Sequence, residues 1–281
     1  MRIFNRQAEL IAFLNEARQT SRIGFVPTMG ALHDGHLSLV RQSMQETDIT
    51  VVSIFVNPTQ FTNADDLKNY PRTLERDTEK IAAVNSDCIL FAPSIDEMYD
   101  GNTVSESFDF DGLEHEMEGK FRPGHFNGVG TIVKRLFEIV HPDRAYFGEK
   151  DFQQLQVVRK LVEKSGLPVI IVGCPIYREA NGLAMSSRNE RLSPELRREA
   201  SLIFEALNLA KSRFTTRTPE QIRTEISEHF AGNKHFTLEY FEIADEQTLK
   251  PVAVFAPERK YRAFIAVFAE NVRLIDTIAL N

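Results

Sequence analysis

The sequence predicts an α/β fold: a parallel sheet with helical crossovers over residues 1–176, then a smaller α+β domain over 177–281. Three observations carry this. Runs such as Ile49-Thr-Val-Val-Ser-Ile-Phe-Val are rich in β-branched residues and unbroken by charge, the pattern of a strand covered on both faces. Segments of helical period separate such runs, which makes β-α-β units. Beyond residue 177 the pattern changes to two helices followed by three strands of antiparallel character.

The elements follow in order. Leu10, Ile11, Phe13, Leu14 and Ala17 give residues 7–18 a helical stripe, and residues 22–26 read as the first strand. The loop Pro27-Thr-Met-Gly-Ala-Leu-His-Asp-Gly-His follows, then a helix over 37–46 and the buried strand from residue 49. Asn57-Pro-Thr-Gln lies just past the carboxyl end of that strand. A helix is expected from about residue 73 and a short strand at 88–91. Residues 93–127 are irregular, as expected of a lid or an oligomer contact. Helix 129–140, strand 145–147, helix 152–165 and a buried strand over 169–176 complete the first domain. In the second, helices are expected at 194–214 and 219–231, and strands at 238–243, 263–268 and 272–277.

The chain has 281 residues, enough for two domains with real cores, and a net charge of −7. Acidic and basic residues are interspersed, which argues against a nucleic-acid surface or a membrane-docking face. No apolar run approaches the length of a membrane span, and the N-terminal residues do not read as a secretory leader, so a cytoplasmic location is expected. Cys88 and Cys174 sit in apolar strand-like segments without metal-ligand spacing and are expected to be buried thiols.

The chemistry centres on His33 and His36 in a strand-to-helix loop. A parallel sheet binds ligands at such loops, and a helix start offers unpaired N–H groups that favour phosphate. Gly30 and Gly35 let backbone approach a ligand closely. Loop histidines are common, so the context decides. Lys150-Asp151 at a second strand end offers a cation for phosphate and a carboxylate for a hydroxyl or a metal-bound water, against the alternative of a surface ion pair. Met185-Ser-Ser-Arg188 adds two hydroxyls and a guanidinium suited to phosphate oxygens. The amides of Asn57 and Gln60 can face the same crevice, and Asp77 is a candidate magnesium ligand, against the equal alternative of a solvated face, since its helix is rich in charge. Two histidines without a third ligand do not make a zinc site.

Six segments stand in order between residues 23 and 192: Pro27-Thr-Met-Gly-Ala-Leu-His-Asp-Gly-His, Asn57-Pro-Thr-Gln-Phe, Tyr70-Pro-Arg-Thr-Leu, Arg122-Pro-Gly-His-Phe, Phe147-Gly-Glu-Lys-Asp-Phe-Gln-Gln-Leu and Gly182-Leu-Ala-Met-Ser-Ser-Arg-Asn. Together, and in this order, they resemble the pantoate–β-alanine ligase family of the His-x-x-His nucleotidyltransferases. The resemblance implies a Rossmann-like domain, a C-terminal domain that closes over the active site, a homodimer, and ATP with Mg2+. It implies that pantoate carboxylate attacks the α-phosphate of ATP and that β-alanine then takes the pantoyl group from the adenylate.

By the same resemblance, Met29, Gly30, Ala31, Leu32, His33, Asp34, Gly35 and His36 line the nucleotide site, with His36 the proton donor. Gly148, Glu149, Lys150 and Asp151 bind nucleotide, joined by Tyr177, Met185, Ser186, Ser187 and Arg188. His33, His36, Lys150 and Arg188 form the implied catalytic set. Gln60, Gln154 and Asn57 are the implied substrate-binding set, with Gln60 and Gln154 on pantoate and Gln60 also near β-alanine. Tyr177 and Asn181 depart from the family, which more often has a small β-branched residue and Asp at those positions. The rival expectations are another adenylyl transferase of the superfamily, or a nucleotide-binding protein without turnover.

Overall fold

The computed structural model describes residues 1–62 and 64–281, which divide into two compact units. The first comprises Met1–Gly148 and Gln154–Cys174; the second comprises Glu149–Gln153 and Pro175–Asn281.

In chain order the first unit contains β1 (Arg2–Phe4), α1 (Gln7–Ala17), β2 (Ile23–Thr28), α2 (Asp34–Glu46), β3 (Ile49–Ile54), α3 (Ala64–Lys68), α4 (Leu74–Val84), β4 (Ile89–Phe91), α5 (Ile95–Tyr99), α6 (Met117–Phe121), α7 (His125–Val140) and β5 (Arg144–Gly148). It ends with α8 (Phe152–Ser165), whose first two residues belong to the second unit, and β6 (Ile170–Cys174). The six strands form one sheet in the order β1-β4-β3-β2-β5-β6, and every neighbouring pair is parallel. This is the Rossmann-like sheet. From β2 the chain steps outward through β3 and β4, then returns to the other side of β2 with β5 and β6. The loop after β2 therefore opens at the point where strand order reverses, the place where such sheets bind ligands.

Val26, Val52, Leu90 and Tyr146 from the sheet pack with Leu39 and Val40 of α2 and Ile81 of α4 in one buried cluster. Leu32, from the loop after β2, joins it and ties that loop to the core. Cys88 and Cys174 are buried thiols of the same cluster and are not disulfide-bonded. Helix α2 lies close to β2. A Cβ on Gly24 would sit 2.2 Å from Ser43 Oγ and 2.4 Å from Thr47 Oγ1, and those hydroxyls belong to a buried group in which Ser43 also meets Thr50 at 2.8 Å.

Three local expectations change. β1 is a three-residue edge strand that no buried run announces, since Arg2 and Ile3 are exposed. β6, expected to be covered on both faces, is the opposite edge with one neighbour, and Ile170 is 57% exposed. The irregular stretch over 93–127 holds the short helices α5 and α6 and a 3-10 turn at Leu113–His115, and α7 starts a turn earlier than expected.

The second unit contains α9 (Pro194–Glu199), α10 (Ser201–Arg213), α11 (Pro219–Phe230), β7 (Phe236–Asp245), β8 (Tyr261–Ala269) and β9 (Val272–Ala279). The single helix expected over 194–214 is broken at Ala200. α9 starts on Pro194 with Ser193 Oγ accepting from Leu196 N, and α11 starts on Pro219 with Thr218 and Gln221 capping each other reciprocally. The strands form an antiparallel sheet, β7-β8-β9, against which Ile203, Leu207, Ile222 and Ile226 pack. Among the described residues, no helix is long and apolar enough to cross a membrane.

Because the side chains facing Gly24 are short and held by α2, Gly24→Ala is expected to lower unfolding free energy by about 1–3 kcal/mol, the usual cost of overpacking. Urea unfolding followed by circular dichroism measures this, and unchanged stability would contradict the close approach of α2.

Candidate active site

The loop after β2 is shaped by two successive left-handed residues, Gly30 at φ +82° and Ala31 at φ +50°. Gly30 also lacks room for a side chain, since a Cβ there would meet Ile54 Cγ2 at 3.1 Å and Asp77 Oδ2 at 3.2 Å. Thr28 pins the entry: its hydroxyl donates to Ser53 O at 2.7 Å and accepts from Gly30 N at 3.2 Å. The two N–H groups turned inward by this conformation, those of Ala31 and Leu32, donate to Asp77 Oδ2 and Oδ1, each at 2.8 Å. Such paired amides make an anion-binding concavity, and here the protein fills it with its own carboxylate.

His33 follows as the N-cap residue of α2 in extended conformation, and its carbonyl accepts from Leu37 N at 3.1 Å. His36, one turn on, accepts the His33 N–H at Nδ1, 3.4 Å away, and the two rings lie 4.0 Å apart between centroids. With Nδ1 as acceptor, neutral His36 carries its proton on Nε2. Both side chains are half-buried at a helix N-terminus, so donors and the positive end of the helix dipole converge there.

Gln60 lies in a 3-10 turn, Pro58–Gln60, beyond β3. Its Nε2 donates to Met29 Sδ at 3.0 Å, linking this turn to the histidine loop. Asn57 is buried and committed: Nδ2 donates to Gln60 Oε1 at 3.2 Å and Gly128 O at 3.1 Å, while Oδ1 accepts from Tyr99 OH at 2.5 Å and Thr59 Oγ1 at 3.1 Å. Those four bonds use its two donors and its two lone pairs. Asn57, expected to face substrate, instead fixes Gln60. The start of α7 supports the same turn, with His125 Nδ1 2.8 Å from Gln60 O and Arg122 donating to that oxygen at 3.4 Å. Gly128 permits the approach, because a Cβ there would lie 2.4 Å from Thr59 O.

Asp77 was the candidate magnesium ligand. It is fully buried, and both oxygens are taken by backbone N–H groups, with Thr73 Oγ1 donating to Oδ2 as well at 3.1 Å. Among the described residues, no group of three or more His, Cys, Asp or Glu is placed to hold a metal ion. The donor set does not fit a protein-held magnesium site, and the role of Asp77 is to hold the loop.

The remaining candidates lie in the second unit, apart from Gly148 and Gln154, which close β5 and occupy the first turn of α8. Glu149 accepts from Arg262 at 3.3 Å, and that guanidinium, almost fully buried, stacks 3.9 Å over Phe152 and donates to Glu246 at 2.8 Å. Lys150 and Asp151 ride on this support. The loop from Tyr177 to Arg188 is organised by Arg178, which pairs with Asp276 through two bonds of 2.6 and 3.0 Å, donates to Gly182 O and stacks over Phe204. Burial pushes the Asp276 carboxyl up, opposed first by Arg178 and also by the charge of Lys150. Met185 N donates to Tyr177 O, and Ser186 Oγ caps the 3-10 turn Ser187–Arg191 by accepting from Arg188 N at 3.2 Å. Asn181 donates to Arg197 O and Arg198 O at 2.9 and 3.2 Å, contacts that an acceptor-only carboxylate could not make. Tyr177 is 44% exposed, so its ring costs the loop no core space.

Sequence reasoning missed Tyr99, Arg178 and Asp276. Arg178 and Asp276 are 98 positions apart, and no local spacing reveals such a pair.

The family model described as pantoate-beta-alanine ligase matches residues 2–279. A pantothenate synthetase of Flavobacterium psychrophilum is 57% identical over 282 residues, covering all of both chains. The crystal structure of pantothenate synthetase from Thermus thermophilus superposes with a TM-score of 0.91 at 40% identity, covering 100% of this chain and 99% of that one. A pantoate-beta-alanine ligase from Francisella tularensis, complexed with beta-gamma ATP and beta-alanine, matches with a TM-score of 0.77 at 33% identity over 100% of this chain and 98% of that one. With its histidine loop at the sheet's switch point and this match along its length, the chain belongs to the pantoate–β-alanine ligase family.

Proposed function

We propose that this chain joins pantoate to β-alanine at the expense of ATP, through a pantoyl adenylate. The observation that carries the reading is the His33–His36 pair at the N-terminus of α2, at the switch point of the sheet, in a chain of this family. In the first step a pantoate carboxylate oxygen bonds to the α-phosphorus of ATP, the bond to the bridging oxygen breaks, and pyrophosphate leaves. In the second the β-alanine amine bonds to the acyl carbon, AMP leaves with the electron pair of the broken C–O bond, and the amine gives up a proton. The protein supplies position and charge stabilisation, with no covalent enzyme intermediate.

His36, with its proton on Nε2, donates to phosphate oxygen, and His33 contacts phosphate beside it. The backbone from Met29 to His36 lines the nucleotide. Gln60 and Gln154 hold pantoate through amides that both donate and accept, and Gln60 meets β-alanine as well. Asn57 acts through Gln60. Lys150 meets phosphate and Asp151 the ribose, while Tyr177, Met185, Ser186, Ser187 and Arg188 contribute from the second unit. Magnesium would come with ATP as part of the substrate. The enzyme works as a cytoplasmic homodimer.

Pyrophosphate release from ATP is expected to require pantoate, and AMP release to require β-alanine in addition. Release without pantoate dependence would overturn the reading; pantoate dependence without any effect of β-alanine would favour a different adenylyl transferase. His36→Ala is expected to slow pantoate-dependent pyrophosphate release by about 10²–10³, the usual loss for one preorganised donor, while thermal unfolding stays near that of the unmodified chain. Activity and melting temperature falling in step would instead make His36 structural. Lys150→Ala and Arg188→Ala are each expected to cost about two to three powers of ten in the same assay. Rates within about threefold of the unmodified enzyme would remove them from the phosphate site.

A further inference from the structure

One face of α4 grips the histidine loop at three points. Asp77 accepts the N–H groups of Ala31 and Leu32, each at 2.8 Å, and Lys80, one turn further along, donates through Nζ to Leu32 O. Thr73, the N-cap residue of α4, donates its hydroxyl to Asp77 Oδ2 at 3.1 Å and so fixes the carboxylate. Ala31 is a non-glycine residue in the left-handed region, a conformation that costs roughly 1–2 kcal/mol and persists only where its surroundings hold it. The clamp therefore determines where Leu32 ends and where His33, the next residue, begins.

We propose that Asp77 is a positioning residue of the adenylation step: by holding the N–H groups of Ala31 and Leu32 it places His33 and His36 against the nucleotide phosphates. This rests on the reading given above, in which both histidines bind phosphate. Leu32 is buried in the core, so the loop has an apolar anchor of its own and does not need the carboxylate merely to stay folded. What the carboxylate adds is orientation. Asparagine has the same shape but turns one of the two acceptors into an NH2 donor, which then faces a buried N–H and pushes the loop off its position. A displacement of about 1 Å at a reacting group costs on the order of 10² in rate.

The test compares the unmodified enzyme with Asp77→Asn and Thr73→Val, by pantoate-dependent pyrophosphate release and thermal unfolding. Asp77→Asn is expected to lower kcat about 100-fold with the KM for pantoate within about threefold and the chain folded at the assay temperature. Thr73→Val, which removes only the hydroxyl that fixes Oδ2, is expected to lower kcat about 3- to 10-fold with a small fall in melting temperature that leaves the chain folded at the assay temperature, and it decides the matter if Asp77→Asn does not fold. A kcat within about threefold of the unmodified enzyme in Asp77→Asn, a loss equal to its unfolded fraction, or an unchanged kcat in Thr73→Val would overturn the proposal. If the unmodified enzyme shows no pantoate-dependent release, the failure lies in the reading of the reaction, and the proposal falls with it.

Discussion

The pairing of Asp77 with the backbone of Ala31 and Leu32 is the constraint on which the site depends. Two successive left-handed residues turn their N–H groups out of any regular secondary structure, and a backbone of that kind is held in place by its surroundings. In this chain α4 supplies the missing partners from the side. The N–H groups of Ala31 and Leu32 are both taken by one carboxylate, and His33 and His36 follow at the start of α2. Gly30 fits the arrangement twice over, by its positive φ and by the 3.2 Å that separates a Cβ there from Asp77 Oδ2.

The second unit uses the same device. Asp276, buried in β9, holds the guanidinium of Arg178, which in turn orders the loop that carries Tyr177 and Met185 through Arg188. Arg262, buried in β8, ties down Glu149 next to Lys150. In each unit a charged side chain removed from water is matched by donors or acceptors on its several sides, which is the condition under which such burial is tolerated. The candidate groups thus rest on supports that are themselves satisfied.

Much of this was legible in the sequence, and the rest was hidden for physical reasons. The strands around the crevice were readable because a parallel sheet covered by helices demands unbroken β-branched runs, as in β3. The histidine loop was readable because glycine and histidine at a strand-to-helix junction have few other uses together. β1 escaped because a three-residue edge strand with exposed side chains carries no apolar signal, and the exposure of β6 escaped because an apolar run does not reveal whether it has one neighbour or two. Asn57 is readable as an amide past the end of β3 and Asp77 as a carboxylate in a charge-rich helix, yet neither reading shows that both side chains are committed within the protein. Residue type indicates what a side chain can bond, whereas the partners that saturate it, Gly128 and Tyr99 for one and Ala31 and Leu32 for the other, lie more than forty positions away.

The histidine loop keeps its place only while its two inward N–H groups stay bonded to the carboxylate of Asp77 in the working protein. Scalar couplings transmitted through hydrogen bonds, measured by NMR between the amide nitrogens of Ala31 and Leu32 and the side-chain carboxyl carbon of Asp77, test this directly. A resolved coupling from each amide, retained when ATP is bound, is the expected result. Absence of both couplings, together with rapid exchange of the two amide hydrogens with solvent, would contradict it.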